Sequence, residues 1–153
     1  MSHSPMLADL LLSRSATDRS AELRKDSEWI AGALKDPSTV FVCVNNSCAP
    51  VSEGDLRFFG CEEIPQDSLT YFLGLQGDVA FFGVSVDADF VSAHDPDSWL
   101  NLRASGSRLS DRDAGLLVAA VALDNWNFTH THCPRCGTHT VQDDAGWTRR
   151  CPA

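Results

Sequence analysis

The chain has 153 residues, of which 43% are hydrophobic and 22% charged, a composition typical of a globular protein and not of a disordered or fibrous one. This length fits one domain with a small appendage. Twelve lysines and arginines oppose 21 aspartates and glutamates, which gives a net charge of −9. The charge argues against nucleic acid or an anionic membrane surface as a partner.

The same sequence features bear on the cellular compartment. The longest nearly apolar run, residues 114–123, is far shorter than the roughly 18 residues that a membrane span needs. Near the start, Asp9 interrupts the apolar residues 6–12, and no basic stretch precedes them as a secretory signal would require. We therefore expect a cytoplasmic protein without membrane contact, in which six cysteines serve as thiols or metal ligands and not as disulfides.

The predicted elements of the first half are one helix followed by strands. Residues 26–35 carry apolar side chains at helical spacing and predict a helix. The β-branched and aromatic run 39–44 predicts a buried strand, with residues 55–60 as its candidate neighbour. Residues 70–75 and 79–86 predict a β-hairpin, because a glycine-containing turn at 76–78 separates them.

The second half is predicted to contain a loop and then the longest helix. The acidic residues 87–97 include a proline and predict a loop, followed by a short ordered piece at 99–103. Ser110 and Asp113 suit the start of a helix over residues 111–126. We predict that one face of this helix is buried and that its polar end is closed by two residues, Asp124 and Asn125. The predicted buried face consists of Leu116, Leu117, Ala120 and Leu123, with Trp126 as a further candidate.

The strongest chemical signal is a set of three cysteines near the C-terminus. Cys133 and Cys136 are separated by two residues, a spacing that lets two thiolates bind one tetrahedral zinc, and Gly137 permits the positive φ of such a turn. A turn at residues 143–146 predicts a short hairpin that returns Cys151 to this pair. The cysteine that would complete a second pair falls immediately beyond Ala153, which leaves His132 or His139 as candidate fourth ligands. The alternative is a tail that carries free thiols.

The remaining candidates favour structural roles. Cys43 lies in an apolar strand and is expected to be a core residue, because a reactive thiol needs an electropositive neighbour. Cys48 and Cys61 are expected to be inert loop residues. His94 lies near three aspartates, but acidic loop residues of this kind are usually solvated and not metal ligands. These aspartates are Asp89, Asp95 and Asp97.

Several short motifs follow one another along the chain in a recognisable order. They are Leu12-Ser13-Arg14, Asp18-Arg19, Leu23-Arg24-Lys25-Asp26, Tyr71-Phe72-Leu73-Gly74, Trp126 at the end of the long helix, Cys133-Pro134-Arg135-Cys136-Gly137, Gly146-Trp147 and Arg149-Arg150-Cys151-Pro152. Together these motifs resemble the NADH pyrophosphatase (NAD diphosphatase) branch of the Nudix hydrolases.

The resemblance implies an N-terminal α+β domain, then a zinc ribbon, then a catalytic Nudix domain. We accordingly expect an α+β fold, with a mixed or antiparallel sheet and packed helices at residues 1–127, followed by a truncated zinc-ribbon hairpin at 128–153. The zinc-ligand role carries over to Cys133, Cys136 and Cys151. The resemblance further implies a homodimer, and hydrolysis of NADH or NAD to nicotinamide mononucleotide and AMP by the complete enzyme.

No catalytic residue of the family can be placed on this sequence. The family's box reads Gly-x5-Glu-x7-Arg-Glu-x2-Glu-Glu-x-Gly, and its glutamates hold the magnesium or manganese that activates water. The pair Glu62-Glu63 lacks the preceding Arg-Glu and the following glycine. We therefore expect a truncated, catalytically silent chain whose main core, built from apolar residues before 127, folds without the metal.

Two other functions are alternatives for this sequence. One is a stand-alone zinc-binding interaction or dimerisation module. The other is nucleic-acid binding through the ribbon, which three arginines would favour and the net charge opposes. These arginines are Arg135, Arg149 and Arg150.

Overall fold

The computed structural model describes residues 14–153, so Leu12, Ser13 and the apolar patch at 6–12 lie outside the described residues. This part of the chain contains both helices and strands, with most strands in one consecutive run, which confirms the α+β class. The helices are α1 (Ser27–Ala33), α2 (Ala88–Ala93), α3 (Leu102–Ser105) and α4 (Asp111–Thr129). The strands are β1 (Val40–Val44), β2 (Cys48–Ser52), β3 (Asp55–Leu56), β4 (Thr70–Gln76), β5 (Val79–Ser85), β6 (Trp99–Asn101), β7 (Val141–Asp143) and β8 (Thr148–Arg150).

The central sheet has three strands in the order β1-β5-β4. Strands β4 and β5 form the predicted antiparallel hairpin, and β1 pairs with β5 in parallel, so the sheet is mixed. A register shift between Phe72 and Gly74 interrupts the hairpin. Gly74 has φ +141°, and a Cβ there would collide with the backbone of Asp18. Glycine at this position therefore lets the segment around Asp18 lie close against β4.

Helices cover both faces of this sheet. Alternate residues of β1 point to opposite sides, as strand geometry requires: Phe41 and Cys43 join one buried cluster, and Val42 and Val44 join the other. The first cluster packs against α1 and the second against α4. The predicted apolar residues Leu116, Leu117, Ala120 and Leu123 are all buried. The core is therefore a sheet between two helices.

A second small sheet has the antiparallel order β3-β2-β6. Residues 55–60 were expected to pair with the strand at 39–44. Only Phe59 does so, through two backbone hydrogen bonds with Phe41 of 2.9 and 3.0 Å. The ladder at Asp55–Leu56 is instead with β2, because the tight turn at Glu53 and Gly54, both at positive φ, folds the chain back on itself.

The prediction of a loop over residues 87–97 was wrong. Helix α2 forms there because Asp87 accepts a hydrogen bond from the amide of Phe90, which caps the helix, and Phe90 is buried against the sheet. Two predictions for α4 also need correction. Asp124 is buried, whereas Trp126 is 37% exposed and stacks on His130.

Across residues 14–153, no helix combines the length and apolar character that a bilayer crossing demands.

Candidate metal centre

The first part of the centre is a tight turn directly after α4. The amide of Cys133 donates to the carbonyl of Thr138 at 2.8 Å, and the amide of Gly137 donates to the carbonyl of Cys133 at 2.9 Å. Gly137 has φ +73°, the left-handed conformation that the sequence predicted for it. These bonds hold Cys133 and Cys136 on one loop.

The second part is the predicted hairpin of β7 and β8. Its two strands pair in antiparallel register, with Val141 opposite Arg150 and Asp143 opposite Thr148. The connecting turn has three consecutive residues at positive φ, namely Asp144, Ala145 and Gly146. This reversal brings Cys151, the residue after β8, back to the first two cysteines.

The three thiols meet in one place. The Sγ atoms of Cys133, Cys136 and Cys151 all lie within 4.8 Å of one another, and those of Cys136 and Cys151 are 3.5 Å apart. Zinc–sulfur bonds of about 2.3 Å place the sulfurs of a tetrahedral site about 3.8 Å apart. The donor type and spacing therefore fit a zinc ion bound by three thiolates.

The surroundings favour the metal-binding form of one thiol. Cys136 Sγ lies 3.3 Å from the hydroxyl of Thr138. Hydrogen bonding to the side chain and backbone of Thr138 lowers the pKa of Cys136 to about 7. The thiolate is the form that binds metals. Because a large fraction of Cys136 is already deprotonated at neutral pH, binding a metal there requires little further proton release.

The two histidines considered as fourth ligands pair with each other. Their backbones form a bridge and their rings lie 5.0 Å apart. Nδ1 of His139 contacts the carbonyl oxygen of Thr140 at 3.0 Å. Within residues 14–153, the group of mutually close metal-binding atoms contains the three cysteines and neither His132 nor His139.

The hairpin also docks on the central sheet, which the sequence did not indicate. At its turn, Nε1 of Trp147 donates to the carbonyl of Phe72 at 2.6 Å, and Nε2 of Gln142 donates to the carbonyl of Thr70 at 2.7 Å. Both acceptors belong to β4. Gly146 lies so close to Tyr71 that a Cβ would approach its ring to 2.6 Å.

Arg149 lies on the inner side of this junction. Its guanidinium donates to the hydroxyl and carbonyl of Thr140 at 2.8 Å each, and to Oδ1 of Asn127 at 3.1 Å. Asn127 is buried on α4 and donates in turn to the carbonyl of Gly146 at 2.9 Å. The guanidinium of Arg149 thus joins the ribbon to α4. It is therefore not free to contact a phosphate, so only two of the three arginines considered for nucleic-acid binding remain candidates.

The weaker candidates have structural surroundings. Cys43 is buried, and desolvation raises the pKa of its thiol far above the ordinary value, so it is a core residue. Cys48 begins β2, and Cys61 begins a short 3-10 helix. The ring of His94 stacks on Phe90 at 4.0 Å. Within the described residues, no metal-binding group forms around His94.

The fold and this site define an α+β domain followed by a zinc ribbon. The family model described as "NADH pyrophosphatase-like rudimentary NUDIX domain" matches residues 9–126, and the one described as "NADH pyrophosphatase zinc ribbon domain" matches residues 129–153. The chain therefore belongs to the NADH pyrophosphatase family, as the resemblance predicted.

Curated relatives share this pattern at low identity. The chain is 23% identical to the human NAD-capped RNA hydrolase NUDT12 and 22% identical to the Macaca fascicularis protein of that name, in alignments that cover 91% of this chain and 39% of each relative. It is 33% identical to the human mitochondrial NAD(P)H pyrophosphatase NUDT13 over 65% of this chain and 28% of that relative. The chain thus corresponds to well under half the length of these relatives.

Proposed function

We propose that this chain is the N-terminal, non-catalytic portion of an NAD(H) diphosphatase, with residues 1–127 as its α+β domain and 128–153 as its zinc ribbon. The observation that carries the proposal is the convergence of the three Sγ atoms within 4.8 Å at the end of a ribbon hairpin. The two family matches support it because they follow one another in the order that the resemblance implies.

In this proposal the ribbon zinc is structural. Bound by Cys133, Cys136 and Cys151, it would tie the turn after α4 to the end of the hairpin, and so fix the face that the ribbon presents to a following domain. The complete enzyme would cleave the pyrophosphate of NADH or NAD to nicotinamide mononucleotide and AMP. Magnesium or manganese would belong to the Nudix domain, since the 153 residues contain no Nudix box. We further propose a cytoplasmic homodimer.

The first test is activity of the purified chain. We expect no formation of nicotinamide mononucleotide or AMP from NADH when magnesium or manganese is added, because the carboxylate array for these ions is missing. Turnover that survives repurification would overturn the non-catalytic assignment.

The second test is metal content. We expect zinc at no more than one ion per chain and weakly held, because structural sites are worth about 10 to 16 kcal/mol only with their full ligand set. Cys151→Ser should abolish this binding, whereas Cys48→Ser, which removes a thiol outside the cluster, should leave it intact. One tightly held zinc that persists in Cys151→Ser would contradict the proposed ligands.

A stand-alone interaction module is the second candidate, and one observation favours it. Phe128, near the end of α4, is 82% exposed, and aromatic side chains are enriched where proteins contact one another. The reading frame of the transcript beyond the codon of Ala153 separates the two candidates. A Nudix box there supports the diphosphatase, and its absence from that reading frame supports the module.

A further inference from the structure

A contact between the ribbon and the start of the described chain has no part in the function proposed above. The guanidinium of Arg24, on the 3-10 helix Ala21–Lys25, lies over the ring of Trp147 with Cζ 3.6 Å from the ring centre. We name this contact the Arg24–Trp147 clasp. It is a cation–π contact, of a kind that contributes about 0.5 to 2 kcal/mol depending on desolvation.

Arg24 is incompletely satisfied in the clasp. Nε of Arg24 is buried without a hydrogen-bond partner, and it is the one such side-chain nitrogen or oxygen found among residues 14–153. The hydrogen bond from Arg24 to the carbonyl of Arg19 is long, at 3.5 Å. Burial and the nearby Arg19 charge both lower the pKa of Arg24. The closed clasp therefore carries a desolvation cost that reduces, without cancelling, the gain from the cation–π contact.

Two cavities that open to solvent border the clasp. A cavity of about 560 Å³ lies on one side, lined by Arg24, Ile30 and Ala145 among others. A second cavity, of about 510 Å³, is lined by Ala21, Arg24 and Trp147 among others. Arg24 and Trp147 therefore border solvent, and because Trp147 belongs to the ribbon hairpin, the position of the hairpin affects whether the clasp can close.

The hairpin links the clasp directly to the thiols. Trp147 precedes β8, and Cys151 follows that strand, so only Thr148–Arg150 lies between the clasp residue and the metal ligand. Each hairpin strand has three residues, and Val141 is exposed. A hairpin this short depends on contacts with the rest of the chain for its stability. A metal ion bound by Cys151 would add to the contacts that hold β8, and with it Trp147, in place.

We propose that zinc occupancy of the three-cysteine cluster is coupled to the Arg24–Trp147 clasp, so that metal binding closes the clasp and orders the segment Ala21–Lys25. The coupling rests on the zinc role proposed above. It is reciprocal, because two equilibria that share one structural element must affect each other equally. Loss of the clasp should therefore weaken zinc binding, although Arg24 lies outside the ribbon.

The test is zinc affinity of the full chain, measured by competition with a chromophoric chelator. We expect Arg24→Gln to weaken zinc binding about fivefold, within the usual range of coupling between sites. Arg103→Gln, which removes another arginine at an exposed position, should leave the affinity unchanged. Equal affinities for wild type and Arg24→Gln would overturn the coupling and leave the zinc role standing. Failure of the wild-type chain to bind zinc would overturn the zinc role and the coupling with it.

Hydrogen exchange on the wild-type chain tests the coupling without any variant. Amides of residues 21–25 should exchange more slowly with zinc present than after chelation, while those of β1 and β5 should be unaffected. If zinc protects only residues 129–153, the ribbon binds its metal independently and the coupling is wrong.

Discussion

The phenol of Tyr71 donates a hydrogen bond of 3.0 Å to the carboxylate of Asp124, and both side chains are buried. Tyr71 lies on β4 and Asp124 on α4, so the bond joins the sheet to its longest helix. Beside Tyr71, a Cβ added to Gly83 of β5 would lie 3.1 Å from Ala120 of α4, so the sheet and the helix are in close contact there. Tyr71 belongs to the larger core cluster, so the bond links that cluster to the polar side of α4.

Because of the Tyr71–Asp124 pair, we expect the folded chain to lose stability at alkaline pH. Burial raises the pKa of Tyr71 above its ordinary value of about 10, and the charge of Asp124 raises it further. Because the folded-state pKa is raised, the contribution is fully present below about pH 10 and is lost as the pH rises through the folded value. The chain contains one tyrosine, so absorbance at 295 nm reports Tyr71 alone. We expect phenolate to form only together with unfolding seen by circular dichroism. Titration near pH 10 with the fold intact would contradict this.

The helix face of α4 carries a second prediction. Leu116 is 1% exposed and Leu69 is 46% exposed. Leu116→Ala should lower the free energy of unfolding by about 2 to 5 kcal/mol, because it leaves a cavity between helix and sheet. Leu69→Ala, the matched control, should change it by less than about 0.5 kcal/mol. Urea denaturation measures both, and similar losses for the two variants would be inconsistent with the packing described.

A third prediction compares Gly146, in the ribbon turn, with Gly77, in the turn between β4 and β5. Both have positive φ, but a Cβ at Gly146 would lie 2.6 Å from the ring of Tyr71, whereas a Cβ at Gly77 would meet nothing within 4 Å. Gly77→Ala should cost about 1 to 2 kcal/mol from backbone strain alone. Gly146→Ala should cost about 1 to 3 kcal/mol more, because it also overpacks the junction with the sheet. The measurement is the urea midpoint, and equal costs would show that the turn does not dock on β4.

Thiol reactivity gives a fourth prediction. Cys43 is fully buried, and desolvation raises the pKa of its thiol well above the ordinary range. After removal of metal, iodoacetamide at pH 8 should modify the ribbon cysteines first and Cys43 only when denaturant unfolds the core. Peptide mass spectrometry identifies the sites. Early modification of Cys43 would indicate that the sheet opens far more readily than its burial suggests.

Local patterns were sufficient for much of this fold. The hairpin at β4 and β5, the cap at Ser110 and the converging cysteines all followed from turn chemistry and spacing within short stretches of sequence. Helix α2 was missed because six residues with a single buried side chain, Phe90, give too weak a periodic signal. Its acidic flanks and the proline that follows predicted a loop instead.

The contacts between ribbon and sheet lay beyond such reasoning. Arg149 and Trp147 look like exposed hairpin residues in sequence, yet their partners are Asn127 on α4 and the backbone of Phe72 on β4. Contacts between residues so far apart in the chain produce no periodic pattern in the sequence. Asp124 was assigned to the polar end of α4 for the same reason, because its partner Tyr71 lies 53 residues away.

Strand β4 is one edge of the central sheet, and an open edge offers its unpaired backbone groups to any other chain. Here Asp18 and Leu75 exchange two backbone hydrogen bonds, of 2.9 and 2.7 Å. Side chains of the ribbon hairpin donate hydrogen bonds to the carbonyl oxygens of Thr70 and Phe72. The ribbon hairpin and the segment around Asp18 thus cover much of this edge. The ribbon thereby also hinders edge-to-edge strand pairing between copies of the chain.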